Sequence, residues 1–202
     1  IRDSPVSGVT IIDIYDNVNF NPEFRTGHGF ACIINLKDVT ILFDTGSDAS
    51  ALLANLKIAG IKAESINLLI LSHIHNDHTG GLFGFLEKNS ALKVYVPTSF
   101  PSPFKNQIAS TGAELVEVSE PIKIMSGIYS TGELGTWIKE QSLIINSDKG
   151  LILIAGCAHP GITSIVRKAK ELFNRKLYLA MGGFHLPPVS VVRELKEIGV
   201  EK

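Results

Sequence analysis

The segment Ile66-Asn67-Leu68-Leu69-Ile70-Leu71-Ser72 is an almost unbroken apolar run, and it ends abruptly in His73-Ile74-His75-Asn76-Asp77-His78. A short apolar run bounded by polar residues reads as a buried strand. Three imidazoles and a carboxylate at its end are costly to place there without partners. An HxHxDH string arises by chance roughly once in several thousand sequences of this composition. Thr79-Gly80-Gly81 then opens a short helix, so the motif falls at the carboxyl end of a strand, where α/β sheets place their chemistry. In extended backbone His73 and His75 point to the same side, so one divalent ion can take both imidazoles. The chain then turns, and Asp77 with His78 reaches toward a second ion. A carboxylate with neutral imidazoles suits Zn, Mn or Fe better than Ca or Mg.

The rest of the chain repeats the same grammar. Short Val- and Ile-rich runs at 9–14, 30–36, 40–43, 66–71, 93–96, 114–118, 142–146, 151–155 and 176–180 read as strands. Lys37-Asp38 reads as a two-residue hairpin turn. Helical spacing of apolar residues predicts helices over 49–59, 162–173 and 189–198, the first capped by Ser47/Asp48 and closed by Gly60. Pro97 to Pro103 reads as one surface connection. With 202 residues the prior is one domain, here 1–202, of layered α/β type. Lys+Arg 19 against Asp+Glu 20 leaves no field to hold a polyanion, which disfavours nucleic acid as a partner. No apolar run reaches the roughly 18 to 20 residues of a membrane span. Two cysteines, Cys32 and Cys157, make no disulfide framework, and this leads to the expectation of a reducing, cytoplasmic compartment.

Two further histidines follow strand ends. The run 151–155 leads into Gly156-Cys157-Ala158-His159, and 176–180 leads into Gly182-Gly183-Phe184-His185. Beside HxHxDH, this shared context marks His159 and His185 as ligand candidates. His28, in Gly27-His28-Gly29, lacks that context and reads as a loop histidine near the pocket. Asp44 ends the run Leu42-Phe43 and has two readings, a turn-forming residue before Thr45-Gly46 or a partner for a metal-bound imidazole N–H. Cys157 reads as inert burial ahead of a thiolate ligand.

LFDTG at 42–46 followed by SHIHNDHTGG at 72–81 resembles the metallo-β-lactamase superfamily of binuclear hydrolases. HGF at 28–30, EQSL at 140–143, KGLILIAGCAHPGI at 149–162 and MGGFHL at 181–186 look like the branch containing dihydropterin-ribofuranosylaminobenzene-phosphate synthase-like proteins. The resemblance runs over nearly the whole chain. It implies an αββα sandwich of four layers, with the metal site at one edge of the two sheets. Three departures stand out. Between His159 and His185 there is no Asp to act as the superfamily's usual bridging carboxylate, so Cys157, Glu140 or a histidine becomes the substitute to test. The branch typically continues past a segment like ELKEIGVEK into a further strand, which gives the expectation of a shortened C-terminus. The stretch 132–140, where covering loops usually lie, is short.

Granting two ions, with zinc the first choice and Mn or Fe the alternatives, the site would supply a water deprotonated near neutral pH for attack on a carbonyl or phosphorus centre. His73, His75 and one later histidine would hold one ion, and Asp77, His78 and another would hold the second. Asp77 would also orient the nucleophile or accept a proton. Glycines at 46, 80, 156 and 182–183 would let backbone amides approach an anionic group of a small-molecule substrate. Hydrolysis of an ester, phosphodiester or related bond is the favoured reading. The alternatives are a synthase that condenses a pterin diphosphate with an aminobenzene ribotide, and a catalytically silent metal-binding scaffold.

Overall fold

The computed structural model describes Ile1 and Asp3–Lys202. The chain separates into two compact units, one formed by Gly8–Glu117 and the other by Ile1–Ser7 with Val118–Lys202.

The first unit is built on a six-stranded sheet in sequential order: β1 (Thr10–Tyr15), β2 (Ala31–Asn35), β3 (Thr40–Phe43), β4 (Leu68–Ile70), β5 (Lys93–Pro97) and β6 (Glu114–Val118), the last ending at the unit's boundary. Strands β1, β2 and β3 are antiparallel, and β3, β4 and β5 are parallel. The change of direction follows from connection length. The β2–β3 turn places Lys37-Asp38 at its tip, with Leu36 N–H donating to Val39 C=O at 2.9 Å and Asn35 opposite Thr40. Parallel neighbours need crossovers, and these are α1 (Ala49–Ile58) between β3 and β4, and the short α2 (Asn76–Thr79) and α3 (Leu82–Leu86) between β4 and β5; α4 (Ser102–Ser110) lies between β5 and β6. Asp48 caps α1 by accepting from Ala51 N–H at 2.6 Å. The helix buries Leu52 and Leu56 in a core with Ile14, Ile33, Leu42, Leu69 and Phe85.

The second unit carries β7 (Ile122–Met125), β8 (Ile128–Ser130), β9 (Leu143–Ser147), β10 (Gly150–Ala155) and β11 (Leu177–Gly182), in the order β11-β10-β9-β8-β7. Strands β10 and β11 are parallel, and α5 (Ile162–Phe173) is their crossover. Its buried residues Ile162, Ile165, Val166, Ala169 and Phe173 lie at the spacing that predicts it. Helix α6 (Val189–Ile198) ends at Gly199 in the left-handed conformation.

The boundaries of most elements fall within two residues of the sequence reading, with two differences. Strands β7 and β8 are short and interrupted by Ser126-Gly127, too little chain to show a period. Pro97–Pro103 is not a loop throughout: Pro101 is the N-cap of α4, and Pro103 lies in its first turn. A proline there loses no helix hydrogen bond and brings a suitable φ, so it starts a helix that a reading of prolines as breakers misses. Among the described residues, no helix is long and apolar enough to cross a membrane.

Candidate functional site

In the first unit the chemistry gathers where β3 and β4 end. Asp44 follows β3 in the left-handed region, φ +56°, and donates its N–H to Ile70 C=O at 2.9 Å. Its carboxylate is fully buried and accepts three hydrogen bonds. Oδ1 receives Ser72 N–H at 2.6 Å, and Oδ2 receives Ser72 Oγ–H at 2.7 Å and His78 Nδ1–H at 2.7 Å. Ser72 Oγ, its own proton given to Asp44, accepts from His73 Nδ1–H at 2.9 Å. One buried carboxylate therefore sets both His73 and His78 in the Nδ1–H tautomer, with the lone pair at Nε2. An imidazole that ligates through Nε2 needs that form and that kind of support. Of the two sequence readings of Asp44, the carboxylate follows the second in accepting an imidazole N–H, and its bonds go to Ser72 and His78 rather than to its own local backbone.

The histidine rings lie together, His73 to His75 at 4.7 Å and His73 to His78 at 4.4 Å between centroids. His75 carries the start of α2: its C=O accepts His78 N–H at 3.0 Å and Thr79 Oγ1–H at 3.1 Å. Asp77 Oδ2 is 3.4 Å from His78 Nε2, near the roughly 3.3 Å that separates two donor atoms at about 2.0 Å from one tetrahedral zinc. By chemistry and tautomer this donor set fits a divalent transition metal.

The second unit brings together Cys157, His159 and His185. The Cys157 sulfur and a ring nitrogen of each histidine all lie within 4.8 Å of one another, and the two rings are 4.8 Å apart at 81°. Cys157, read from sequence as inert first, sits with the ligand candidates. Glu140 is buried, and its two oxygens accept Ala158 N–H at 3.0 Å and His159 N–H at 2.9 Å. Its carboxylate anchors the loop that carries Cys157 and His159, a role the sequence reading missed. The signal was a carboxylate in the short polar segment that leads into an apolar strand. Gly183 N–H donates to Gly156 C=O at 2.8 Å and ties the His185 loop to that same turn.

Several of the glycines near the motifs are tightly packed. A Cβ at Gly80 would lie 2.4 Å from Ser47 O, at Gly81 2.3 Å from Thr45 O, and at Gly182 2.0 Å from Ala155 O. These positions are small because backbone packs on backbone. Gly46 is small because it seats the Tyr15 ring.

The sequence matches the metallo-β-lactamase superfamily over residues 25–169. It is 32% identical to the 7,8-dihydropterin-6-methyl-4-(β-D-ribofuranosyl)-aminobenzene-5'-phosphate synthase of Methanocaldococcus jannaschii, across 93% of this chain and 82% of that one. Among solved structures it is similar to Tm1679, a metal-dependent hydrolase of the β-lactamase superfamily (TM-score 0.75, 24% identity, 94% of this chain and 84% of that one). It also shares its fold with a quorum-quenching N-acyl homoserine lactone hydrolase (TM-score 0.58, 17% identity, 86% and 90%). The chain belongs to the metallo-β-lactamase superfamily.

Proposed function

We propose that this chain is a metal-dependent hydrolase of a small anionic ester, phosphodiester or related compound. In this reading His73, His75, Asp77, His78, His159 and His185 hold two divalent transition ions, zinc first. The observation that carries the proposal is the Asp44 carboxylate, which presents His73 and His78 in the ligand tautomer through Ser72 and directly. When bound, the ions supply Lewis acidity and lower the pKa of water toward neutrality. Asp44 keeps the proton on Nδ1 of His78, so the ring cannot turn or change tautomer. Asp77, beside His78, would orient the nucleophile as well as serve as a ligand. Glu140 holds the backbone of Ala158 and His159 in place. Cys157, beside His159 and His185, is the candidate for the position that relatives fill with a bridging carboxylate.

A second reading is favoured by the 32% identity to a curated synthase. The chain would then condense a pterin diphosphate with an aminobenzene ribotide and release diphosphate. One assay separates the two. The metal-loaded protein is offered bis(p-nitrophenyl) phosphate and lactones in one arm, and a hydroxymethylpterin diphosphate with an aminobenzene ribotide in the other. Ester or lactone cleavage without diphosphate release supports the hydrolase. Diphosphate release that depends on the amine supports the synthase.

A further inference from the structure

We propose that His28 is a substrate-positioning residue, presenting its Nε2–H as a hydrogen-bond donor to an anionic oxygen of the substrate beside Asp77. The proposal rests on the reading that this site binds an anionic substrate, and it adds a residue outside the ligand set.

The argument begins with the two glycines on either side. A Cβ at Gly27 would lie 2.1 Å from the Tyr15 hydroxyl oxygen, and one at Gly29 would lie 1.8 Å from the Asp77 carbonyl oxygen. Gly29 also stands at φ +121°, where side chains are strained. Phe30 N–H donates to that same Asp77 carbonyl at 3.3 Å. The loop is thus pressed onto the backbone of the HxHxDH motif with a fixed residue between two contacts, and that residue is a histidine.

Its tautomer follows from Asn17. The Asn17 Oδ1 accepts Gly29 N–H at 2.7 Å, so the orientation of the amide is set and its Nδ2 is the group facing His28. Nδ2 can only donate, and it lies 3.3 Å from His28 Nδ1. Nδ1 therefore accepts, and the ring proton of neutral His28 is on Nε2. His73 and His78 are set the opposite way, with protons on Nδ1 and lone pairs on Nε2. His28 consequently has the form of a donor, and they have the form of ligands. Its side chain is 76% exposed, against 1% for His78.

The donor is also placed in the right position. His28 Nε2 is 3.5 Å from Asp77 Oδ2, beyond the usual range of a made N–H···O bond. A substrate oxygen arriving at Asp77 meets an N–H already aimed by Asn17. The sequence places His28 only as a loop histidine near the pocket, because Asn17 and Asp77 are distant in sequence from it and from each other.

The test uses the full chain as purified with its metal and labelled with 15N-histidine, at about pH 8.5, with inorganic phosphate as the probe. Expected are the Nε2–H resonance pattern for His28 and a shift of that signal as phosphate is added. His28→Phe should weaken phosphate binding about tenfold by calorimetry, with metal content per chain unchanged. Asn17→Leu should weaken it in the same direction by loosening the ring. A His28 in the Nδ1–H form, a signal that phosphate does not move, an unchanged phosphate affinity in His28→Phe, or loss of metal in that variant would each overturn the proposal. Turnover of bis(p-nitrophenyl) phosphate is read separately. If it is absent while the phosphate shift persists, the hydrolase reading fails and the role of His28 stands.

Discussion

Asp44 accepts the Nδ1 proton of His78 at 2.7 Å, and neither side chain is more than 1% exposed. A buried carboxylate with three donors aimed at it is stable there only because every one of those bonds is made. The consequence lies on the far side of the ring, at Nε2. Asp44→Asn offers an amide where Ser72 and His78 both need an acceptor. Metal affinity is expected to fall about 10- to 100-fold, as for other lost partners of ligating histidines. Stability is expected to fall by about 1–3 kcal/mol. Competition with a chromophoric chelator reads the first, and urea unfolding the second. An unchanged metal affinity would show that the ring needs no support from Asp44.

Glu140 stands where a substitute bridging ligand was sought, yet both of its oxygens receive backbone N–H groups of the Cys157–His159 loop. Glu140→Gln keeps one acceptor and loses the charge. The expected outcome is a loss of about 1–3 kcal/mol in urea unfolding with the metal equivalents per chain retained. If one equivalent of metal disappears at unchanged stability, Glu140 is a ligand and its anchoring role is secondary.

These two carboxylates mark how far the sequence could be read. Sheet strands, the long helices α1, α5 and α6, and the histidine motif were legible, because apolar periodicity and short-range spacing encode them directly. Asp44 was legible as a strand-end acid, but its three donors come from Ser72 and His78, about thirty residues on. Glu140 and Asn17 were opaque for the same reason. Each acts on backbone or side chains that only the fold brings near. Helix α4 was hidden by prolines that initiate it, and β7 and β8 by their brevity.

Two glycines with positive φ make a matched pair. Gly29 has φ +121° with Asp77 O 1.8 Å from a would-be Cβ, whereas Gly60 has φ +71° with nothing within 4 Å. Gly60→Ala meets strain alone and is expected to cost about 1–2 kcal/mol. Gly29→Ala meets strain and backbone collision, and should cost about 3 kcal/mol or more. It should also lower metal affinity, since Asp77 must move. Equal costs by urea unfolding would mean that the 27–29 loop lifts away freely.

The N-terminal segment has its own pH signature. Asp3 accepts from Tyr129 Oη–H at 2.6 Å and Gly127 N–H at 3.1 Å, with Lys123 Nζ at 2.9 Å. Tyr129 first, then Lys123 and Gly127, hold the Asp3 carboxyl well below its usual range. Burial, then the bond to Asp3, pushes Tyr129 up to about 12. A depressed acid stabilises the fold above its unfolded pKa, near 4, and that stability is lost as pH falls further. A raised phenol stabilises below about 10, and that stability is lost as pH rises toward 12. The gap between wild type and Asp3→Asn in urea midpoint should be level from about pH 5 to 9 and close on both sides. A gap independent of pH would mean that Asp3 acts through shape alone.

The proposed function requires the histidine motifs to hold two transition-metal ions. Protein purified without added metal and submitted to elemental analysis should carry close to two equivalents of zinc, manganese or iron per chain, reduced in a His73→Ala, His78→Ala variant that remains folded by circular dichroism. A wild-type chain that stays at one equivalent or at none, even after reconstitution with each of the three ions, would rule out the two-ion reading.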